Sequence, residues 1–264
     1  MIDVTFDDGI ATITMSHGKA NALDIEFCQA MTALFGELRT RADITAVVLT
    51  GQNNGKARMF SAGVDLKRLS AGGTDYVTEF LPALHALYEA VFFFPKPVIA
   101  AINGHAIAGG AVLAACADRR VMAAESGRIG ITELQVGVPL PALAFEIVRF
   151  AVPPRYLSEF ALGAGTYVTA EALAKGWVDE VVDGWELKPR AMRLAKLHAG
   201  MSPEAFAQTK AQIRQPVTDA FAAHGAATDE KVTAIWKTDA TLRRVTVYVA
   251  KTLTKVSNGS GSMH

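Results

Sequence analysis

The chain is short of several things, and each shortage removes a class of function. Its 264 residues include two cysteines, Cys28 and Cys116. Both stand among apolar or small neighbours, which predicts buried free thiols rather than a disulfide framework. Neither sign of charge is in excess: 26 basic and 26 acidic residues leave a formal net charge of zero. Such a balance carries no electrostatic footprint for nucleic acid or an acidic membrane surface. Every long apolar stretch is broken by a charge, proline or glycine before it reaches membrane-spanning length. The first residues, M-I-D-V-T-F-D-D, have neither the basic nor the apolar region of a secretory signal. The expectation is a soluble, cytoplasmic protein with no membrane partner. G-x-G-x-x-G, G-x-x-x-x-G-K-[ST] and G-x-S-x-G are all missing, so dinucleotide binding, nucleoside-triphosphate binding and serine hydrolysis lose their best support. No H-x-x-x-H pair or cysteine cluster suggests a metal site.

What is present is apolar substance in an ordered pattern. Half of the chain is apolar, enough for one sizeable core. Ile2, Val4 and Phe6, then Ile10, Thr12 and Thr14, alternate around Asp7-Asp8-Gly9, the mark of a hairpin with an Asp-Gly turn. Asp24 is placed to cap a helix from Ile25 to Arg39, where Phe27, Met31, Leu34, Phe35 and Leu38 recur at helical spacing. A buried strand is expected at Ala46–Gly51, followed by the solvated loop Q-N-N-G-K-A-R. A helix over Val77–Phe94 should end at Pro95 and Pro97, and V-I-A-A-I should be a second buried strand. Gly109–Ala117 reads as a small-residue helix, and R-R-V-M-A-A and R-I-G-I as short strands. Thr169-Ala-Glu-Ala has the form of a helix cap, and from Leu187 onward only helices are evident. Strands and helices in alternation imply crossover units with parallel strands. The expected division is an α/β core over 1–190, a helical region over 191–255 and a disordered tail over 256–264.

The chemistry is most legible in two glycine-bearing turns. One is F-S-A-G-V-D-L (Phe60 to Leu66); the other is I-N-G-H-A-I-A-G-G-A-V (Ile102 to Val112). Gly63 frees the first turn, so that the N–H of Val64 can point into a pocket. In the second, glycines open a helix directly after a strand, and Gly109 is the natural donor. Two backbone N–H groups aimed at one point form an oxyanion hole with no side-chain donor. Glu133, in I-G-I-T-E-L-Q-V-G-V-P, is the acid of interest. It is either a solvated edge residue or a pocket base whose pKa an apolar wall raises. His17, His85, His105, His198 and His224 read as structural or solvated.

Together, K-A-N-A-L (Lys19 to Leu23), F-S-A-G-V-D-L, K-P-V-I-A-A-I-N-G-H-A-I-A-G-G, the A-C-A-D that follows and T-A-x-E-A-x-x-x-G-x-V-x-x-V resemble the crotonase superfamily, the enoyl-CoA hydratase and isomerase group. The likeness covers roughly residues 1 to 250, with the motifs in the family's order. It implies an α/β spiral of repeated ββα units, C-terminal helices that build a homotrimer or dimer of trimers, and an acyl-CoA thioester held by Val64 and Gly109. It implies no prosthetic group, coenzyme A being carried by the substrate, and a coenzyme-binding region around Lys19, Ala20, Ala22, Asp65 and Lys67. The family's hydratases use two glutamates. One matches Glu133, but the other falls on Val112, and the glycine-rich turn beyond Glu133 is replaced by G-V-P-L-P-A. Hydration needs a second group to orient water, whereas one carboxylate can carry a proton between C2 and C4 of an enoyl thioester. The pattern is similar to the Δ3,Δ2-enoyl-CoA isomerases. Hydration and non-catalytic acyl-CoA binding are the alternatives.

Overall fold

The computed structural model describes residues 1–52, 58–125 and 127–257. Strands β1 (Ile2–Asp7) and β2 (Ile10–Met15) form the antiparallel hairpin, with Asp8 and Gly9 both at positive φ, 49° and 76°. That pair of left-handed residues is what a two-residue hairpin turn requires. Helix α1 (Ile25–Thr40) starts at Asp24, whose carboxylate accepts the Phe27 N–H at 2.8 Å. The chain then repeats one plan: β3 (Ala46–Gly51), β4 (Met59–Ser61), α2 (Leu66–Phe92); β5 (Val98–Ile102), β6 (His105–Ile107), α3 (Gly109–Ala115); β7 (Arg119–Ala123), β8 (Arg128–Gly130), α4 (Glu133–Val136). There follow α5 (Ala142–Ala151), α6 (Pro154–Gly163), β9 (Tyr167–Val168), α7 (Thr169–Ala174) and β10 (Glu180–Val182). Helices α8 (Leu187–Ala199), α9 (Pro203–Trp236) and α10 (Asp239–Ser257) close the described chain.

In each repeat the first strand joins a six-stranded sheet, β1-β2-β3-β5-β7-β10, and the second a four-stranded sheet, β4-β6-β8-β9. Pairings are parallel except β1 with β2 and β8 with β9. This is the expected α/β spiral of ββα units. The near-continuous apolar runs of β3 and β5 follow from burial on both faces. Val47, Leu49, Val98, Ala100 and Ile102 face the main core with α1, α2 and α3. Ala46, Val48, Ile99 and Ala101 face the other way, onto Leu187, Ala191, Leu194 and Ala195 of α8.

Several local expectations shift. The second helix begins at Leu66 rather than Val77, because Asp65 caps it; Gly73 (φ 57°, ψ −139°) breaks it into two segments. Helix α7 is capped at Val168, not Thr169: the Glu171 carboxylate accepts the Val168 N–H at 3.3 Å, while the Thr169 hydroxyl donates to the Ala124 carbonyl. The change from core to appended helices, read at residue 190, falls inside α8, which lies on the large sheet. Helix α10 runs through Val256 and Ser257, where the sequence suggests a tail. Residues 258–264 of that tail, and positions 53–57 of the loop after β3, lie outside the described residues. Both cysteines are free and buried, and burial pushes both thiols up.

Candidate active site

The loop 17–24 is laced to the segment 59–65 by buried polar groups. Asn21, at φ 46°, donates from Nδ2 to the carbonyls of Met59 and Phe60 at 3.1 Å, and Ser61 Oγ donates to the Asn21 carbonyl at 2.7 Å. The backbones pair alongside: Ala62 N–H to Ala20 O, Leu23 N–H to Gly63 O at 2.8 Å and Asp65 N–H to Leu23 O at 2.9 Å. In a parallel bridge of this kind, the residue between the two bonded ones turns its own N–H away from the partner. That residue is Val64, and it borders a cavity of about 630 Å³.

Gly109 stands against this segment. It is the first residue of α3, so its N–H has no acceptor within the helix. Among the described residues no group accepts from either the Val64 or the Gly109 N–H. The two turns touch: a Cβ on Gly63 (φ 80°) would lie 2.8 Å from Gly109 N and 2.7 Å from Ile107 O. A Cβ on Gly110 would lie 2.4 Å from the Ser61 carbonyl, so only glycine lets α3 approach β4. Ala108, also on the cavity, has φ 54° and ψ −128°. Such a backbone costs a residue with a Cβ about 1–3 kcal/mol, and strain of this kind gathers at functional sites.

Glu133 opens the single turn α4 and borders the same cavity, 7 % exposed. Its Oε2 is buried without a hydrogen-bond partner. Burial raises its pKa to about 7, although the backbone N–H groups of Glu133 and Thr132 pull the other way. Of its two readings from sequence, the structure has the buried pocket acid. Asp65 is the other carboxylate on the cavity among the described residues, and it is engaged as the cap of α2, accepting from Lys67 N at 2.9 Å and Arg68 N at 3.1 Å.

Lys19, Ala20, Ala22, Asp65 and Lys67 all border the cavity with Val64 and Glu133, although the two segments lie far apart in sequence. Gly109, buried at the start of α3, is not itself among the bordering residues, although Ala108 before it is; Val112 does not border the cavity either. Its side chain is fully buried in the main core, so the position of a second acid is packed shut rather than left as a gap. Other contributors carry no sequence signal. His17 borders the cavity, stacks on Phe27 and holds Asp24 through Nε2 at 2.7 Å; Arg68 holds the same carboxylate at 2.9 Å. Burial alone would raise the Asp24 pKa, but the bonds from His17, Phe27 N–H and Arg68 hold it below the ordinary range. Val136, Val138 and Trp236 make an apolar wall, with Trp236 Nε1 donating to Pro139 O at 2.9 Å. Helix α10 packs along α2 and α4 and brings Tyr248 and Val249 to the cavity. These are helical residues at apolar spacing, indistinguishable from core in the sequence.

A two-sheet spiral of ββα units, with two glycine-bearing turns in contact and a buried acid on the cavity that Val64 borders, defines a crotonase-type α/β protein. The chain belongs to the enoyl-CoA hydratase/isomerase family, whose model matches residues 5–254. It is 31 % identical over 224 residues to the carnitinyl-CoA dehydratase of Salmonella paratyphi B, covering 83 % of this chain and 84 % of that protein. Among solved structures it is similar to the probable enoyl-CoA hydratase EchA3 of Mycobacterium tuberculosis, with TM-score 0.78 and 33 % identity over 88 % of this chain and 94 % of that one. A second structure of that same protein, described there as an apo enoyl-CoA isomerase, gives TM-score 0.77 and 34 % identity over 86 % of this chain and 97 % of that one. Human mitochondrial Δ3-Δ2-enoyl-CoA isomerase shares the fold, with TM-score 0.89 over 96 % and 98 % at 22 % identity.

Proposed function

We propose that the chain is a Δ3,Δ2-enoyl-CoA isomerase in which Glu133 moves one proton along the acyl chain. The observation that carries this reading is the isolation of Glu133: buried, without a partner at Oε2, and the cavity's one described carboxylate not engaged in a cap. With the thioester oxygen between the N–H groups of Val64 and Gly109, ionised Glu133 takes a proton from C2 of a 3-enoyl thioester. The electron pair left behind delocalises onto the thioester oxygen, where the two donors stabilise it. Glu133 then returns the proton to C4, and the double bond settles between C2 and C3. A carboxyl with a pKa near 7 suits both halves of the exchange. Nothing in these steps needs a second acid, in keeping with the burial of Val112.

Coenzyme A enters as part of the substrate. Lys19 and Lys67 are exposed and form no ion pair among the described residues, which suits them to its phosphates; Ala20 and Ala22 leave room for a flat ring beside them, and Asp65 holds the start of α2 in place. The reading extends to a homotrimer or dimer of trimers in the cytoplasm, which sedimentation and fractionation would test.

The test is to supply a 3-enoyl-CoA and a 2-enoyl-CoA separately and follow the conjugated-thioester absorbance. The signal is expected to grow with the first. Rapid loss with the second would establish hydration instead, the reaction type nearest to that named for the Salmonella relative. Because Glu133 must be ionised to act as base, kcat/KM is expected to rise with pH and reach half its plateau near 7. A profile flat from pH 5 to 9 would remove Glu133 from the role. Trp236 sets the depth of the apolar wall. Trp236→Leu is expected to raise the kcat/KM ratio of long-chain over short-chain substrates by about tenfold. An unchanged ratio would place the acyl chain elsewhere.

A further inference from the structure

Resting on the proton-transfer reading, we propose that Tyr88 is a positioning residue that holds Gly109 so that its N–H meets the charged oxygen of the intermediate. The peptide presenting this N–H joins Ala108 to Gly109, and Ala108 has a backbone shape that residues with a Cβ rarely adopt. Such a peptide keeps its direction only if its surroundings hold it on both sides. Upstream, the Ala108 N–H donates to the Gly130 carbonyl at 2.8 Å, and the Ala108 carbonyl accepts from Ala111 at 2.8 Å and Val112 at 3.2 Å. Downstream, the side chain on the Gly109 carbonyl is Tyr88, whose hydroxyl donates to it at 3.0 Å.

The contact is close and has one direction. A Cβ on Gly109 would lie 2.7 Å from the Tyr88 oxygen, so glycine at 109 and the hydroxyl at 88 fit each other. Tyr88 is 1 % exposed and belongs to the same core cluster as Val112 and Leu113 of α3. Burial, and then the charge of Glu133, push the phenol well above its ordinary pKa, so it stays a donor wherever Glu133 is ionised. Loss of the hydroxyl leaves the Gly109 carbonyl without its lateral anchor. The strained peptide then relaxes, and the N–H turns off the oxygen it should meet.

The test uses a 3-ketoacyl-CoA, a non-isomerising thioester whose enolate absorbs in the near ultraviolet. In the wild-type protein the hole should lower the pKa of the bound ketothioester below its value in water. In Tyr88→Phe that bound pKa is expected to rise by about one unit relative to wild type, with kcat for isomerisation falling about tenfold and KM changing less than twofold. A bound pKa equal to that of wild type overturns the positioning role while leaving the oxyanion hole intact, even if Tm falls. Wild-type protein that binds only the ketone form overturns the hole itself, and this proposal with it. Should Tyr88→Phe fail to fold, Gly109→Ala displaces the hydroxyl from the α3 side. It is expected to raise the bound pKa at least as much, and no rise overturns the proposal.

Discussion

Glu133→Gln is expected to lower kcat for isomerisation by about 10³–10⁴-fold and, at pH 8, to make the protein more stable. The first effect follows from removing the carboxylate that, in the proposed reaction, accepts and returns the proton. The amide keeps shape and volume, so substrate binding should survive. The second follows from linkage. The folded-state pKa of Glu133, about 7, lies above the ordinary 4.5, so the folded state binds this proton more tightly than the unfolded chain does. The stabilisation that results is complete below the unfolded value and is lost as pH rises through 7. At pH 8 the wild type therefore carries a buried carboxylate charge without a partner at Oε2, and glutamine does not. The difference is on the order of 3 kcal/mol at most. Thermal melts of both proteins from pH 4 to pH 8 should show similar midpoints at the acidic end and a growing gain for the variant toward pH 8. A gap that does not change with pH would mean that Glu133 does not titrate in this range.

Gly63→Ala is expected to cost about 10²–10³-fold in kcat, the range for losing one donor from an oxyanion hole. Gly63 is at φ 80°, and its added Cβ would meet Ile107 O at 2.7 Å, Gly109 N at 2.8 Å and Ala108 Cβ at 2.9 Å. None of these is the flexible end of a side chain. The two turns must separate, and the Val64 and Gly109 donors separate with them. The backbone conformation adds a stability penalty of about 1 kcal/mol. Gly73→Ala separates the two effects: Gly73 also has positive φ, 57°, but no atom lies within 4 Å of its added Cβ. It should lose stability and keep activity. If Gly63→Ala turns over as fast as Gly73→Ala, the N–H groups at these turns do not hold the reacting oxygen.

Much of the frame is local and was therefore legible. The Asp8-Gly9 hairpin, the Asp24 cap of α1, the strands β3 and β5 and the helical last third depend on neighbouring residues or on spacing. The misplaced start of α2 and the Val168 cap of α7 show where this stops. A cap is decided by which side chain reaches which N–H, and several nearby residues of suitable type compete for the role. Glu133 is the sharper case. Its apolar neighbours in sequence fit a solvated edge as well as a pocket, because the alternation of I-G-I-T-E-L does not say what covers the face. The covering comes from Val136, Val138, Trp236, Tyr248 and Val249, the last three from helices about a hundred residues away.

By itself, then, the sequence determined the alternation of strands and helices and the two glycine turns, each resting on residue type at one position or on short-range spacing. The ββα spiral and the significance of Val112 came through the resemblance of those motifs to a family. Tertiary structure alone decided that the turns touch at Gly63 and Gly109, that Val112 is sealed into the core, and that Glu133 is enclosed with a raised pKa. It also decided that Tyr88 reaches Gly109, twenty-one positions along the chain. The physical reason is the same throughout: desolvation, close approach and the aim of a donor belong to whatever surrounds a residue, and that is set by packing between elements distant in sequence.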